Sequence, residues 1–357
     1  MTKAAIWAIF ILTLAAVLAM LKVFSEMLTQ VALAMILWLA IEALALHIRR
    51  LLPRWPHWTA MAIAIVGIIA LFGFVLWQLI TNVSGMVAQW PRYSERFEDL
   101  IRESYAVLHI AGEPPKMAAL LAKVNVGSLL GTAAGGVQSL IGFTIFVLIY
   151  LGFMFPAAAR IHQKLDRIFG DESDRAQVRD VLTAIRRSMA QYLWVQTVLS
   201  AMITVLTAVS LAALGLDHWI FWSFLIFFLN YIPTIGSIVA VALPTLFAVI
   251  QYPDLAHVAL VAAGIGVWQF VIGNLVQPRL MGESLNLSAL VVLISLALWG
   301  YLWGIVGAFL AAPLTVMIML TLAQFKSTRW IAILLSEDGN PGVPRRARTD
   351  PAAQDAQ

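Results

Sequence analysis

Residues 219–250 read WIFWSFLIFFLNYIPTIGSIVAVALPTLFAVI. No residue in this run is charged, which suits hydrocarbon, yet its middle holds Asn230, Tyr231, Pro233, Thr234 and Gly236. Proline removes a helical donor and glycine disfavours the helix interior, so Pro233 and Gly236 make a break that one continuous helix does not permit. Pro244 is expected to bend the second half. Each half is then about 15 to 18 residues, short for a full crossing and suited to one arm of a re-entrant hairpin. Leu285 to Leu322 is built alike: Trp299-Gly-Tyr-Leu-Trp-Gly304 splits it and Pro313 follows. As one helix at about 1.5 Å per residue it would be nearly twice the bilayer thickness. Tyr231 to Pro244 and Tyr301 to Pro313 share an aromatic, a glycine and a later proline at nearly the same offsets. Paired interrupted segments point to a transporter's binding site, because unwound backbone exposes amides and carbonyls to a solute.

The remainder of the chain supports a bilayer setting. Of 357 residues, 61% are hydrophobic and 12% charged, too little polar surface for a soluble protein of this size. The expected fold is an all-α polytopic membrane protein with about eight hydrophobic stretches, two of which (219–250 and 285–322) are broken or re-entrant. Residues 1–81 supply three spans, Ala4 to Leu21, Leu28 to Leu46 and Thr59 to Ile80. The first is read as a retained span, since it lacks a small-x-small cleavage site. Arg49, Arg50 and Arg54 between the second and third spans place that loop inside by the positive-inside rule, so the amino terminus is expected to be cytoplasmic.

From Asn82 the pattern changes. Trp90, Tyr93, Phe97, Leu100, Ile101, Tyr105 and Leu108 recur at helical spacing with charges between them, which predicts an external amphipathic helix within 82–137. Residues 138–157 form the fourth span. The basic segment 158–191, with Arg160, Lys164, Arg167, Arg175, Arg179, Arg186 and Arg187, is expected to be a cytoplasmic helical loop. A transport core follows at 192–325 and a partly disordered cytoplasmic tail at 326–357, rich toward its end in Pro, Arg and Asp. Gly131 and Gly135, like Gly300 and Gly304, have the spacing that lets helices approach closely.

The string Asn230-Tyr-Ile-Pro-Thr-Ile-Gly-Ser237, then Pro244, then Gly273 to Leu287 with Pro-Arg-Leu-Met-Gly at 278–282, and finally Gly304 to Pro313, resembles the autoinducer-2 exporter family of bacterial permeases. The resemblance covers most of the chain. It implies a permease of the bacterial inner (cytoplasmic) membrane, multi-pass with both termini cytoplasmic, assembled as a homo-oligomer from trimer to pentamer. It also implies a role in quorum sensing through export of autoinducer-2, with sodium/proton antiport as the activity associated with other members.

The chemistry available is that of a carrier. No His-Glu-x-x-His, Gly-x-Ser-x-Gly or Gly-x-x-x-x-Gly-Lys motif is present, the six histidines are scattered, and there is no cysteine. The reading is therefore not an enzyme, with no catalytic residue, metal or cofactor implied and no nucleic-acid partner. The partners expected are the lipid bilayer and a small-molecule or ion substrate. Asn230, Thr234 and Ser237 bracket the first break and can either coordinate a solute or cap helix ends. Asn274, Gln277, Arg279 and Glu283 make a late polar cluster, in which Arg279 and Glu283 would share a helical face. Pro233, Gly236, Pro244, Gly304 and Pro313 are read as the helix breaks. The function expected is secondary export of a small polar molecule like autoinducer-2. A cation/proton antiporter using Glu283 or Glu42 is the alternative, and a non-transporting membrane scaffold the third reading.

Overall fold

The computed structural model describes residues 3–52, 54, 56–107, 109, 126–169, 171–281 and 286–341. Most of these are helical, and among them a single antiparallel bridge, Leu287 to Ser336, is the extended pairing. The helices in chain order are α1 (Lys3–Val23), α2 (Ser25–Leu51), α3 (His57–Ala88), α4 (Trp90–Val107), α5 (Val126–Ala159), α6 (Ile161–Ile168) and α7 (Glu172–Leu214). There follow α8 (Trp219–Leu229), α9 (Ile235–Gln251), α10 (Leu255–Val271), a π turn (Ile272–Val276), α11 (Gln277–Met281), α12 (Ala289–Leu322) and α13 (Arg329–Leu335). Five helical segments among the described residues are long and apolar enough to cross a membrane, and shorter apolar helices, α8 and α9 among them, accompany them. The chain is a multi-pass membrane protein.

Two compact units divide these helices. One comprises residues 26–154 and 194–280. Within it α7 ends at Gly215 (φ 74°) and His218 (φ 58°), two left-handed residues that turn the chain into α8. Gly215 accepts this geometry because it has no Cβ. α8 stops at Asn230, the chain turns through 231–234, and α9 runs back. The return is shown by side chains: Trp222, near the start of α8, lies 5.3 Å ring to ring from Phe247, near the end of α9. The Gln251 amide nitrogen donates to Gly215 O at 2.8 Å, and the Tyr252 hydroxyl donates to Leu214 O at 2.8 Å. The stretch 219–250 is thus a helical hairpin whose two ends meet. α9 runs on through Pro244. The lost helical hydrogen bond there is absorbed within packed helices, as it commonly is in membrane proteins. Pro244 therefore does not form a break, contrary to the sequence reading. Asp254 starts α10 as its cap, its carboxylate accepting from the His257 N–H at 2.8 Å. That bond and the His257 ring hold Asp254 below the usual carboxylate range.

The hairpin's mouth is covered by α4, the amphipathic helix expected from the periodicity. Tyr93 packs edge-on against Phe247 and reaches the Asp217 carboxylate at 3.4 Å. Arg92 pairs with Asp217 at 3.9 Å, and Arg96 donates to Pro253 O at 3.2 Å. Burial, reinforced by the Asp217 charge, pushes the Tyr93 phenol up to about 12.

The second unit comprises residues 1–25, 155–193 and 281–357. Ser288 caps α12, accepting from the Val291 N–H. α12 is one helix by hydrogen bonding alone, because its backbone leaves helical geometry at Gly304 (φ 65°, ψ −144°). Trp299 Nε1 donates to Thr315 Oγ1 at 3.3 Å. Sixteen residues of straight helix would hold those residues about 24 Å apart, so the chain folds back here too. Pro313 is buried inside the returning arm without ending it, so it is not a break either. Beyond the arm, Asn286 donates to Asp338 and to Asn340 O, beside the Leu287–Ser336 bridge. Gln177 of α7 donates to Gln324 O, and Arg179 pairs with Asp166 of α6.

Both hairpins close on glycine. A Cβ at Gly236 would overlap the Leu229 carbonyl, and one at Gly307 the Trp299 carbonyl. We predict that Gly236→Ala and Gly307→Ala each lower thermal stability in detergent by about 1–3 kcal/mol or more, the range for an over-packed core. Gly266→Ala, where nothing lies within 4 Å, should be neutral or stabilising by up to about 1 kcal/mol. Equal melting of all three variants would remove the steric account.

The phenol gives a second test. Because its folded value lies above the ordinary 10, the Tyr93 contribution is complete below pH 10 and is lost as pH rises through about 12. Protease accessibility of α4 should therefore rise over that alkaline window in the parent protein. In Tyr93→Phe, which cannot ionise, the rise should be absent.

Candidate functional site

The break between α8 and α9 is built from three elements. α8 ends at Asn230, so its last carbonyls lose their helical donors. Gln196 of α7, itself buried, donates its side-chain N–H to Asn230 O at 2.6 Å. Gln269 of α10 donates to Asn230 Oδ1 at 2.9 Å. The remaining amide nitrogen of Asn230 is buried with no hydrogen-bond partner. Beside it the Thr197 hydroxyl and the Tyr231 hydroxyl lie 2.7 Å apart. The Trp268 indole donates to Ser210 Oγ at 3.0 Å. The Asn230 contacts make an uncharged polar cluster among apolar helices, and the Trp268–Ser210 bond ties α7 to α10 about 21 Å further along α7 than Gln196.

The residues singled out in the sequence separate here. Asn230 points inward to Gln196 and Gln269. Thr234 and Ser237 turn to local backbone: the Thr234 hydroxyl donates to Pro233 O and the Ser237 hydroxyl to Thr234 O. Thr234 sits exposed at φ 58° in the turn, where Pro233 precedes it. From Asn274 the chain stays helical as far as Met281 through the π turn and α11. Asn274 is exposed and donates to Phe270 O of its own helix, Arg279 is exposed, and Gln277 is half-buried. Glu283 lies outside the described residues, so its pairing with Arg279 does too. Asn274 and Arg279, being exposed, stand apart from the buried Asn230 amide.

Sequence reasoning missed Gln196 and Gln269, the two amides that hold Asn230. A signal was present, since Gln196, Ser200, Thr204 and Thr207 recur at spacings of four, four and three in an apolar run.

The second break has a different cap. Gly304 ends the first arm of α12, and Lys22 at the end of α1 donates to Tyr301 O at 2.7 Å and Leu302 O at 3.2 Å. Its ammonium lies 4.9 Å from the centre of the Tyr301 ring, and Trp303 Nε1 donates back to Leu21 O at 3.1 Å. A cation at exposed carbonyls of a helix C-terminus is the favourable electrostatic arrangement.

Comparison with known proteins bears on both breaks. AI-2 transport protein TqsA of Escherichia coli K12 is 40% identical over 159 residues, 44% of this chain and 46% of TqsA. The chain thus matches just under half the length of that relative. A transport protein of Haemophilus influenzae is 27% identical over 293 residues, 80% of this chain and 83% of its own. YhhT of Escherichia coli K12, described in general terms as a transport protein, is 26% identical over 290 residues, 80% of this chain and 81% of YhhT. The AI-2E family transporter profile matches residues 8–327, so the chain belongs to the AI-2E family of transporters.

Proposed function

We propose that the protein is a secondary exporter of a small, neutral, hydroxyl-bearing molecule like autoinducer-2, and that the solute meets the protein at the Asn230 cluster. The observation that carries this reading is Asn230, held at the hairpin break by Gln196 at its backbone O and Gln269 at its Oδ1, with its side-chain NH2 buried and uncommitted. Residues 193–214, 219–251 and 255–278, which build the cluster, contain no Asp, Glu, Lys or Arg. Binding a bare cation there without a carboxylate would be poorly compensated, whereas amides and hydroxyls match a neutral polyol. The name of TqsA supports the solute class by analogy.

The membrane arrangement we propose has six full spans and two re-entrant hairpins, with both termini cytoplasmic and α4 outside. Its support is internal to each unit. Arg96 of α4 bonds the Pro253 carbonyl, so the turn after α9 lies on the same side as α4. A continuous crossing by 219–250 would put them on opposite sides. Asn286 bonds Asp338 and Asn340, so the segment before α12 lies on the side of the chain beyond α13. Opposite sides are again what a single crossing requires.

Purified protein in proteoliposomes should move labelled autoinducer-2, and Asn230→Ala or Gln269→Ala should weaken that transport by roughly two- to tenfold, the worth of one neutral hydrogen bond. Sodium or proton flux without autoinducer-2 movement would favour antiport, and no flux of either kind would leave a scaffold. For the arrangement, Asp254→Cys in this cysteine-free chain should react with an impermeant thiol reagent on intact cells, and Asn286→Cys only in inverted vesicles. The opposite pattern would eliminate the hairpins.

A further inference from the structure

Most hydroxyls on the helices of the larger unit turn back onto their own helix. Ser210 donates to Leu206 O, Ser223 to Trp219 O and Thr245 to Val241 O, each four residues back. This satisfies an embedded hydroxyl without any outside partner. Ser200, Thr204 and Thr207 on α7 depart from the pattern, their oxygens being buried with no hydrogen-bond partner. Ser200 and Thr207 are fully buried. Leaving such groups unsatisfied costs free energy comparable to a lost hydrogen bond, so three in succession are not incidental to packing.

Their position on α7 says what they face. At 100° per residue Gln196, Ser200, Thr204, Thr207 and Ser210 lie on one face of the helix. Gln196 is bonded to Asn230 and Ser210 to Trp268, so both ends of the face are fixed against the α8–α9 hairpin and α10. Those ends are about 21 Å apart along the helix. Asn230 closes the Gln196 end of this interval, where it also accepts from Gln269 of α10 and keeps its side-chain NH2 group uncommitted. Val205 and Val209 project from the opposite, exposed face.

We propose that Ser200, Thr204 and Thr207 form a hydroxyl ladder along which the solute travels between the Asn230 cluster and the end of α7. The proposal rests on the function assigned above and adds the residues that determine specificity. A hydroxyl both donates and accepts, so successive rungs exchange hydrogen bonds with a hydroxyl-bearing solute without a charge to trap it. A solute that cannot do so leaves the rungs unpaired and is rejected, as sites built for a substrate hydroxyl reject analogues lacking it. Trp268, bonded to Ser210, marks the outer end of the ladder.

The test uses the full-length protein in membrane vesicles and needs no foreknowledge of the solute. Ser200→Cys, Thr204→Cys and Thr207→Cys are treated, in both vesicle orientations, with a small charged methanethiosulfonate, and Val205→Cys and Val209→Cys serve as lipid-facing references. All three ladder cysteines should react and both references should not. Autoinducer-2 should slow the reaction. Reaction without that protection keeps the ladder as a polar track and rejects autoinducer-2 as its solute. Ladder cysteines as inert as the references would overturn the proposal. As a check that does not rely on cysteine, Thr204→Val and Thr207→Val should raise the KM for transport by roughly two- to tenfold each. Thr245→Val, which removes a hydroxyl bonded to its own helix, should leave KM unchanged. Equal KM in all three would likewise reduce the ladder to packing.

Discussion

In hydrocarbon every backbone N–H and C=O needs a partner inside the protein, and this constraint governs the structure more than any single packing contact. An uninterrupted helix meets it by itself. A chain that breaks its helices twice must bring donors from elsewhere to the carbonyls released. The first hairpin receives the Gln196 side chain at Asn230 O. The second receives the Lys22 ammonium at Tyr301 O and Leu302 O. Two breaks of similar sequence are thus completed by chemically different donors, one neutral and one cationic.

That difference divides the roles of the hairpins. A neutral amide at the first tip leaves a polar cluster without net charge, with hydrogen-bonding capacity still uncommitted in Asn230 and in the α7 hydroxyls. The second tip is already committed. Its carbonyls hold a lysine, the Trp303 indole returns a bond to Leu21, and Trp299 and Thr315 tie its arms together. The proposed function accordingly puts the solute at the first hairpin, while the second is braced by these bonds.

Much of this was legible in the sequence. The two interrupted stretches, the amphipathic helix and the basic loop follow from hydropathy and charge, which report the solvent each residue meets. Breaks at Pro233 and Gly304 were legible because proline withholds a helical donor and glycine takes the positive φ found at Gly304. Pro244 and Pro313 were over-read, since packed neighbours can carry a proline through a membrane helix. The partners of Asn230 were not legible from position alone. Gln196 and Gln269 lie 34 and 39 residues away in sequence from Asn230, and only folding brings them together. The role of Lys22 was not legible either, because it depends on carbonyls 279 and 280 residues further on.

Where movement can occur follows from the magnitudes. At the tips, glycines stand against backbone carbonyls with no room for a methyl group, so a shift there has to unpack both arms together. At the mouth of the first hairpin, α4 is held in part by the Arg92–Asp217 pair, in which the arginine is 72% exposed. Such a pair contributes at most about 1 kcal/mol after screening. The Tyr93 ring against Phe247 adds about as much again as an aromatic pair, beyond its burial. Those two contacts are each small, and the Arg96 bond to Pro253 O and the Tyr93 bond to Asp217 add to them without the backbone overlap that a shift at a tip would meet. If the solute meets the protein at the Asn230 cluster, as proposed above, access from the side of α4 asks for movement of that helix, with the hairpin itself staying closed on its glycines.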